Sequence, residues 1–214
     1  SGQTLSCLDK WQTSFFNELG CPLQFLNGNP LTAQREQMLR KQQVELLVGL
    51  SQSPQRPYQF SQPFAQHKYQ FYRRSDDHRW QKLSNWCDES MRQANIIMPQ
   101  QGYLGEDIEV LRADKHCSRS VLPAPPGYAL ALEMLEKRRA DLLLSSDLWL
   151  KRMPKAQAAN YQPLPFFTWH DQIRFAFSDQ VPAPFIQRVN QLIQSKTAQG
   201  QPVCDLGLPA ATAK

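Results

Sequence analysis

The chain has 214 residues, with 24 Lys+Arg against 19 Asp+Glu for a formal net charge of +5, and it is 41% hydrophobic and 20% charged. That usage lies near the roughly one-quarter charged composition of folded domains and excludes a disordered tail, while the length allows one large domain or two small ones. Mean hydropathy is -0.54, and no run approaches the roughly 18 continuous apolar residues of a membrane-spanning helix. The basic residues fall singly or in short runs, as at Arg40-Lys41, Arg73-Arg74 and Lys137-Arg138-Arg139, with acids close by in most cases. A nucleic-acid reader gathers them into a stripe, so no nucleic-acid partner is expected. Five cysteines (Cys7, Cys21, Cys87, Cys117, Cys204) are widely spaced with no Cys-x-x-Cys pair. Such spacing disfavours a zinc or thioredoxin-like site and fits an oxidising compartment. The chain opens Ser-Gly-Gln without an initiator Met, which reads as a processed or trimmed product, and a removed signal peptide is the expectation consistent with it.

In chain order, Asp9–Leu19 reads as a helix capped by Asp9 and stopped by Gly20. Pro22–Leu26 reads as a short strand closed by the turn residues Asn27-Gly28-Asn29-Pro30. Thr32 opens a second helix that delivers the chain to the apolar run Val44–Leu50, which suits a parallel strand buried on both faces. Lys68–Arg73 is an extended connection, and Asn95–Pro99 a short strand. The turn Gly102–Asp107 leads into a helix, and another helix spans Tyr128–Arg138. Asp141–Ser145 is a second apolar strand. Pro184 suits a helix start, and Phe185, Val189, Leu192 and Ile193 then mark one helical face that Gly200 ends. Strands alternating with helices argue for an α/β fold with mainly parallel sheets.

One internal echo stands out. Met38-Leu39-Arg40-Lys41-Gln42-Gln43-Val44-Glu45-Leu46-Leu47-Val48 is matched by Met134-Leu135-Glu136-Lys137-Arg138-Arg139-Ala140-Asp141-Leu142-Leu143-Leu144. In each, a helix ends in a basic stretch, an acid follows and an apolar strand begins. The offset is too long for a solenoid repeat and suits two α/β lobes built on one unit. Each strand leads into hydroxyl residues, Ser51/Ser53 and Ser145/Ser146, at the end where open α/β sheets bind ligands.

These stretches resemble the periplasmic solute-binding proteins of the amino-acid type, the type 2 or Venus-flytrap family. Glu45–Arg56 followed by Phe60-Ser61-Gln62-Pro63-Phe64 is similar to that family's apolar strand, hydroxyl loop, Arg and Phe-Ser-x-Pro-Tyr motif. Asn95–Met98 running into Gly102-Tyr103-Leu104-Gly105 resembles the opening of its second lobe. Ala131–Asp141 resembles its helix into Gly-Arg-Ala-Asp, and Ile173–Ser178 with the helix after Pro184 its closing strand and helix. Two departures stand beside this. Only Thr4–Leu8 is available for the family's first strand, and the Arg56-to-Phe60 spacing is shorter than in many amino-acid binders.

The resemblance implies a two-lobed α/β clamp, each lobe a mainly parallel sheet flanked by helices. Lobe one would hold 1–72 plus 164–214 and lobe two 73–163, closing on a ligand that touches both. It implies a periplasmic protein that captures a small polar, carboxylate-bearing solute, amino acid-like or an organic acid, for an inner-membrane ABC permease. The same fold also serves as a sensing module of a membrane receptor. No cofactor, metal or catalytic step is implied, and a monomer is expected. Expected ligand contacts are Gly49, Ser51 and Arg56 in lobe one and Gly102, Tyr103, Leu104, Ser146 and Asp147 in lobe two. Arg56 carries the strongest expectation, because its guanidinium can grip a carboxylate through two parallel donors. The family acid that grips an α-amino group would fall at Ser146, with Asp147 one residue late. Tyr58 and Phe64 are suited to wall a pocket, though a Phe after Pro also suits a core; Trp11, Phe15 and Phe16 read as core. Asp76-Asp77 beside His78 reads as a charged turn rather than an acid–base pair. Because a bridge between lobes would resist closure, the expected disulfides are Cys87–Cys117 and Cys7–Cys21, with Cys204 free.

Overall fold

The computed structural model describes residues 6–26, 32–85, 88–98, 106–113, 121–125 and 128–209. The chain runs through α1 (Cys7–Glu18), α2 (Thr32–Arg40), β1 (Leu46–Val48), β2 (Gln59–Phe60) and β3 (Ala65–Arg74). It continues with β4 (Ile96–Met98), α3 (Glu106–Ala113), β5 (Val121–Pro123), α4 (Tyr128–Glu136) and β6 (Leu142–Ser146). Last come α5 (Leu148–Arg152), α6 (Lys155–Ala158), β7 (Tyr161–Ile173), β8 (Phe175–Phe177) and α7 (Ala183–Ala198). Two compact units emerge, the first formed by the residues up to Gln66 with those from Gln172, the second by His67–Asp171.

In the first unit β8 lies between β1 and β2 and is antiparallel to both, with Leu47 opposite Ala176 and Phe60 opposite the same residue. The parallel strand expected at Val44–Leu50 is therefore corrected. Its apolar run reflects cover on both faces, which strand direction does not determine. On one face Leu39 of α2 packs with Leu47, Leu50 and Ala176. Behind the other, Phe175 meets Phe64 at 4.6 Å and Phe16 at 5.1 Å, and Trp11 stacks on Phe64 at 4.9 Å. Phe64 is thus core, not a pocket wall. Such ring pairs add to the stabilisation that burial alone gives.

Local signals set the helix ends, with one shift. Ser6, not Asp9, caps α1: its hydroxyl accepts from the Asp9 N–H at 3.1 Å while the Asp9 carboxylate accepts from the Ser6 N–H at 3.1 Å. This reciprocal box satisfies two orphan donors at once. Residues 21–26 form no strand, and Phe25 and Leu26 are exposed.

Cys7 bonds to Cys204, with Cα atoms 6.1 Å apart, while Cys21 is a free, exposed thiol. The Cys7–Cys21 expectation fails for a geometric reason. Cys7 opens α1 and Cys21 lies beyond its end, about 18 Å away along a 12-residue helix, and a disulfide spans at most about 7 Å between Cα atoms. Cys87 and Cys117 lie outside the described residues. The observed bridge stays within the first unit and has a sequence separation of 197, so the loop-entropy model gives it about 5 kcal/mol. Replacing both Cys7 and Cys204 by Ser should lower the unfolding free energy by several kcal/mol in urea melts, whereas Cys21→Ser should leave it unchanged.

The second unit is a five-stranded sheet in the order β5-β4-β6-β3-β7. Strand β4 is parallel to β5 and β6, and β6 is antiparallel to β3. One face packs Phe71, Ile96, Met98, Leu142 and Leu144 against Trp80, Leu83 and Met91. The other packs Tyr72, Ile97 and Leu143 against Leu135 of α4 and Trp149 of α5.

The sequence echo is an echo of backbone. After α2 the Gln43 N–H donates to the Met38 carbonyl at 2.9 Å, and after α4 the Arg139 N–H donates to the Met134 carbonyl at 2.9 Å. Gln42 (φ 58°) and Arg138 (φ 55°) both take the left-handed conformation between. Leu39 and Leu135, each fully buried, are the apolar residues that anchor the two caps. This is the Schellman stop, with non-glycine residues in the position glycine usually fills.

A buried charge network closes the second unit. Asp77, with 4% of its side chain exposed, accepts from Arg79 at 2.8 and 2.6 Å, from Arg74 at 3.2 Å and from the Trp80 indole at 3.2 Å. The Arg79 hydrogen bonds hold its carboxyl down at about 2, against the upward push of burial. Asp77 is therefore held as an anion by the donors around it. A depressed carboxyl stabilises the fold fully above its ordinary range and loses that contribution as pH falls through about 2. The contribution is about 2 kcal/mol. Urea melts between pH 5 and pH 2 should show this loss in the wild type, and Asp77→Asn should be less stable at neutral pH by about 3 kcal/mol with a flatter acid limb.

Candidate functional site

In the first unit the expected ligand residues sit on the loop between β1 and β2. Gly49 has φ +81° and open space where a Cβ would be, so the left-handed turn calls for glycine there, not crowding. Ser51 and Ser53 are buried at 5% and 7% exposure. The Arg56 N–H donates to the Ser53 carbonyl at 3.0 Å, closing a turn that brings the guanidinium back under the loop.

That guanidinium is engaged. Its Nη2 donates to Oε1 of Glu36 at 2.5 Å, its Nε to Oε2 of the same carboxylate at 3.3 Å, and its Nη1 to the Ser51 carbonyl at 2.5 Å. Only 7% of the Arg56 side chain and 19% of the Glu36 side chain are exposed. The fork expected to await a solute carboxylate holds a carboxylate of the chain itself.

Glu36 is positioned by a helix pinned to the loop at several points. Arg35 donates to the Val48 carbonyl at 2.8 Å, Arg40 donates through Nε to the Tyr58 hydroxyl at 3.0 Å, and that hydroxyl donates to the Glu36 carbonyl at 3.3 Å. Leu39 is buried with Leu47, Leu50 and Ala176, and the half-buried Tyr58 packs against that cluster. Positions 35, 36, 39 and 40 share one side of a helix by their spacing. Sequence reading missed Glu36, although that spacing beside an apolar Leu39 was a readable sign of a helix face turned inward.

In the second unit Ser146 is buried at 2% exposure, at the end of β6 opposite Tyr69. Asp147 is next in the chain, its carboxylate 2.9 Å from Lys151 Nζ and its N–H donating to the Lys68 carbonyl at 2.9 Å. The rings of His67, Tyr69 and Trp169 form a row, 6.1 and then 5.2 Å between centroids. Register puts Tyr69 on the Ser146 side of the sheet. Burial lowers the His67 pKa, Asp147 partly offsets this, and Arg152 and Lys151 reinforce it. The alternation His67-x-Tyr69-x-Phe71 was the available sequence signal for this row. Gly102, Tyr103 and Leu104 lie outside the described residues.

A cavity of about 370 Å³ elsewhere in the second unit is lined by Arg74, Ser75, Asp76, Glu136, Arg138, Asn160 and Tyr161. Its charges serve one another: Asp76 pairs with Arg74 and Arg138, and Tyr161 donates to Glu136. Among the described residues there is no cluster of three His, Cys, Asp or Glu side chains able to hold a metal, and no helix long and apolar enough to cross a membrane.

Solved structures resemble this architecture along almost the whole chain. A histidine kinase sensor domain with similarity to periplasmic binding proteins superposes with a TM-score of 0.71 at 16% identity, covering 97% of this chain and 90% of that one. The fold is that of the type 2 periplasmic binding proteins. An amino acid ABC transporter substrate-binding protein from Streptococcus pneumoniae, bound to L-arginine, gives 0.70 at 17% identity over 94% of this chain and 80% of that one. An ancestral amino-acid-binding protein, a precursor of cyclohexadienyl dehydratase, gives 0.68 at 17% identity over 93% and 82%. No protein-family model and no curated protein sequence matches the chain.

The buried pair makes a stability prediction. Arg56→Ala strands the Glu36 carboxylate, and breaking a buried pair from one side costs about 3 kcal/mol. Thermal melts of the ligand-free protein should show that loss. A double-mutant cycle with Glu36→Gln should return a coupling of about 2 kcal/mol, and zero coupling would make the pair incidental.

Proposed function

We propose that this protein is a periplasmic solute-binding protein that captures a small polar solute of amino-acid size, performs no chemistry on it and presents it to an inner-membrane ABC permease. The observation that carries the reading is the end-to-end likeness to amino-acid-binding proteins of the same fold, at TM-scores near 0.7. The disulfide within the first unit suits an oxidising compartment. The carboxylate-bearing class expected of an open Arg56 is not carried forward, because Glu36 already fills that fork.

A second reading has its own support. The sensor domain shares more of its length with this chain, 90% against 80% for the streptococcal transporter component. Under it the same solute capture reports to a membrane receptor. Neighbouring genes separate the two: a permease and an ATPase favour transport, a kinase or cyclase favours sensing.

A thermal-shift screen over amino acids, amines and organic acids tests solute capture directly. A true ligand present at about a hundred times its Kd adds about 2.7 kcal/mol, equivalent to roughly 5–10 °C in a chain of this size. A screen in which no small polar solute raises the melting temperature would remove the solute-binding reading.

A further inference from the structure

We propose that Glu36 is a built-in carboxylate that keeps the first unit from accepting a free carboxylate at Arg56, so that the solute taken there is an amine or another polar molecule without a carboxylate group. The functional meaning rests on the solute-binding reading above. The assignment of Glu36 rests on geometry alone.

An arginine recognises a carboxylate through two parallel donors, and the edge formed by Nε and Nη2 is one such fork. Here both donors end on the two oxygens of Glu36. A third donor, from Nη1, ends on the Ser51 carbonyl. Of the five N–H groups a guanidinium offers, the three that define this fork and its neighbour are committed, and the side chain is 7% exposed.

Charge acts in the same direction. An arriving carboxylate would meet a paired cation and, at the same spot, the Glu36 anion. Displacing Glu36 would leave that carboxylate without its partner at 19% exposure, which costs most of what the new contact would gain. A protonated amine brings no like charge against Glu36, the more exposed partner of the pair, and a neutral polar solute brings none against either Glu36 or Arg56.

The backbone that carries Glu36 is fixed beside the loop. It stands on α2, which holds the loop through Arg35 to the Val48 carbonyl, through the Glu36 carbonyl and Arg40 to the Tyr58 hydroxyl, and through Leu39 in the cluster with Leu47 and Leu50. The position from which the acid reaches Arg56 is therefore set before any solute arrives. A preorganised internal group competes at an effective concentration that a free ligand in solution does not reach.

Two measurements on the full chain test this. The first follows the Arg56 Nε–H resonance of nitrogen-15-labelled protein, assigned by its loss in Arg56→Lys, during titration with sodium acetate against sodium chloride at equal ionic strength. Expected is no saturable acetate shift in the wild type and a saturable one in Glu36→Gln, with apparent affinity at least about tenfold higher. A wild-type resonance that titrates with acetate overturns the proposal, and this arm decides even where a variant fails to fold. Silence in both a folded wild type and a folded Glu36→Gln overturns it too, because something other than Glu36 would then exclude the anion.

The second measurement compares solutes that differ only in the carboxylate: L-arginine with agmatine, L-lysine with cadaverine, L-ornithine with putrescine. Isothermal titration should give the wild type at least about a tenfold preference for the decarboxylated member, a preference that Glu36→Gln narrows. Tighter binding of the amino acid, weakened by Arg56→Lys, overturns the proposal. If no member of any pair binds while acetate behaves as expected, the solute-binding reading fails for these classes and the Glu36 assignment stands.

Discussion

The first unit depends on three residues that arrive late. Phe175, Ala176 and Phe177 of β8 are each at most 1% exposed and supply the hydrogen-bonding partner of both β1 and β2. Helices α1 and α2 then cover the two faces of that short sheet. Neither β1 nor β2 meets its strand partner until the chain has passed through residues 67–171 and returned. Long-range pairing of this kind costs loop-closure entropy before any contact repays it. The Cys7–Cys204 bridge joins the first helix to the segment after the last one and restrains the chain over that same interval.

The two units solve the helix-to-strand passage in the same way but differ beyond the strand. Both stop a helix with a left-handed residue and a six-residue backbone bond, and both send a short apolar strand into buried serines. After β1 the chain makes a loop whose arginine is neutralised by the preceding helix. After β6 it passes directly to Asp147, whose carboxylate is shared with Lys151 one turn on. In each unit the charge nearest the strand end is thus balanced within the unit. Unpaired charge there would raise the energy of a partly buried site.

What the sequence revealed depended on how local each signal was. The helix-to-strand echo after α2 and α4, the Gly20 stop and the apolar face of α7 are set by neighbours a few residues apart, so spacing exposed them, though not the left-handed caps behind the echo. The direction of β1 was not legible, because cover on both faces produces the same apolar run in either direction. Cysteine pairing was not legible, because Cys204 is near Cys7 only through the fold. The aromatic row His67, Tyr69 and Trp169 needed the pairing of β3 with β7. Arg56 was legible as a special residue but not as an engaged one, since Glu36 lies on another element and carries no mark of its partner in the sequence.

The short span after Arg56 explains why that partner exists. Only Pro57 separates Arg56 from Tyr58, and Tyr58 is fixed in the cluster of Leu39, Leu47 and Leu50 with its hydroxyl between Arg40 and the Glu36 carbonyl. Two residues reach at most about 7 Å, so the Arg56 backbone cannot stand far from α2. Proline also fixes its own φ and restricts the residue before it, which removes alternative paths for the loop. A guanidinium held that close to a packed helix loses much of its water and must find an anion nearby. Glu36, one residue from Arg35 and three from Leu39 on the inward side of α2, is where that anion can be supplied. The loop length and the acid are therefore coupled.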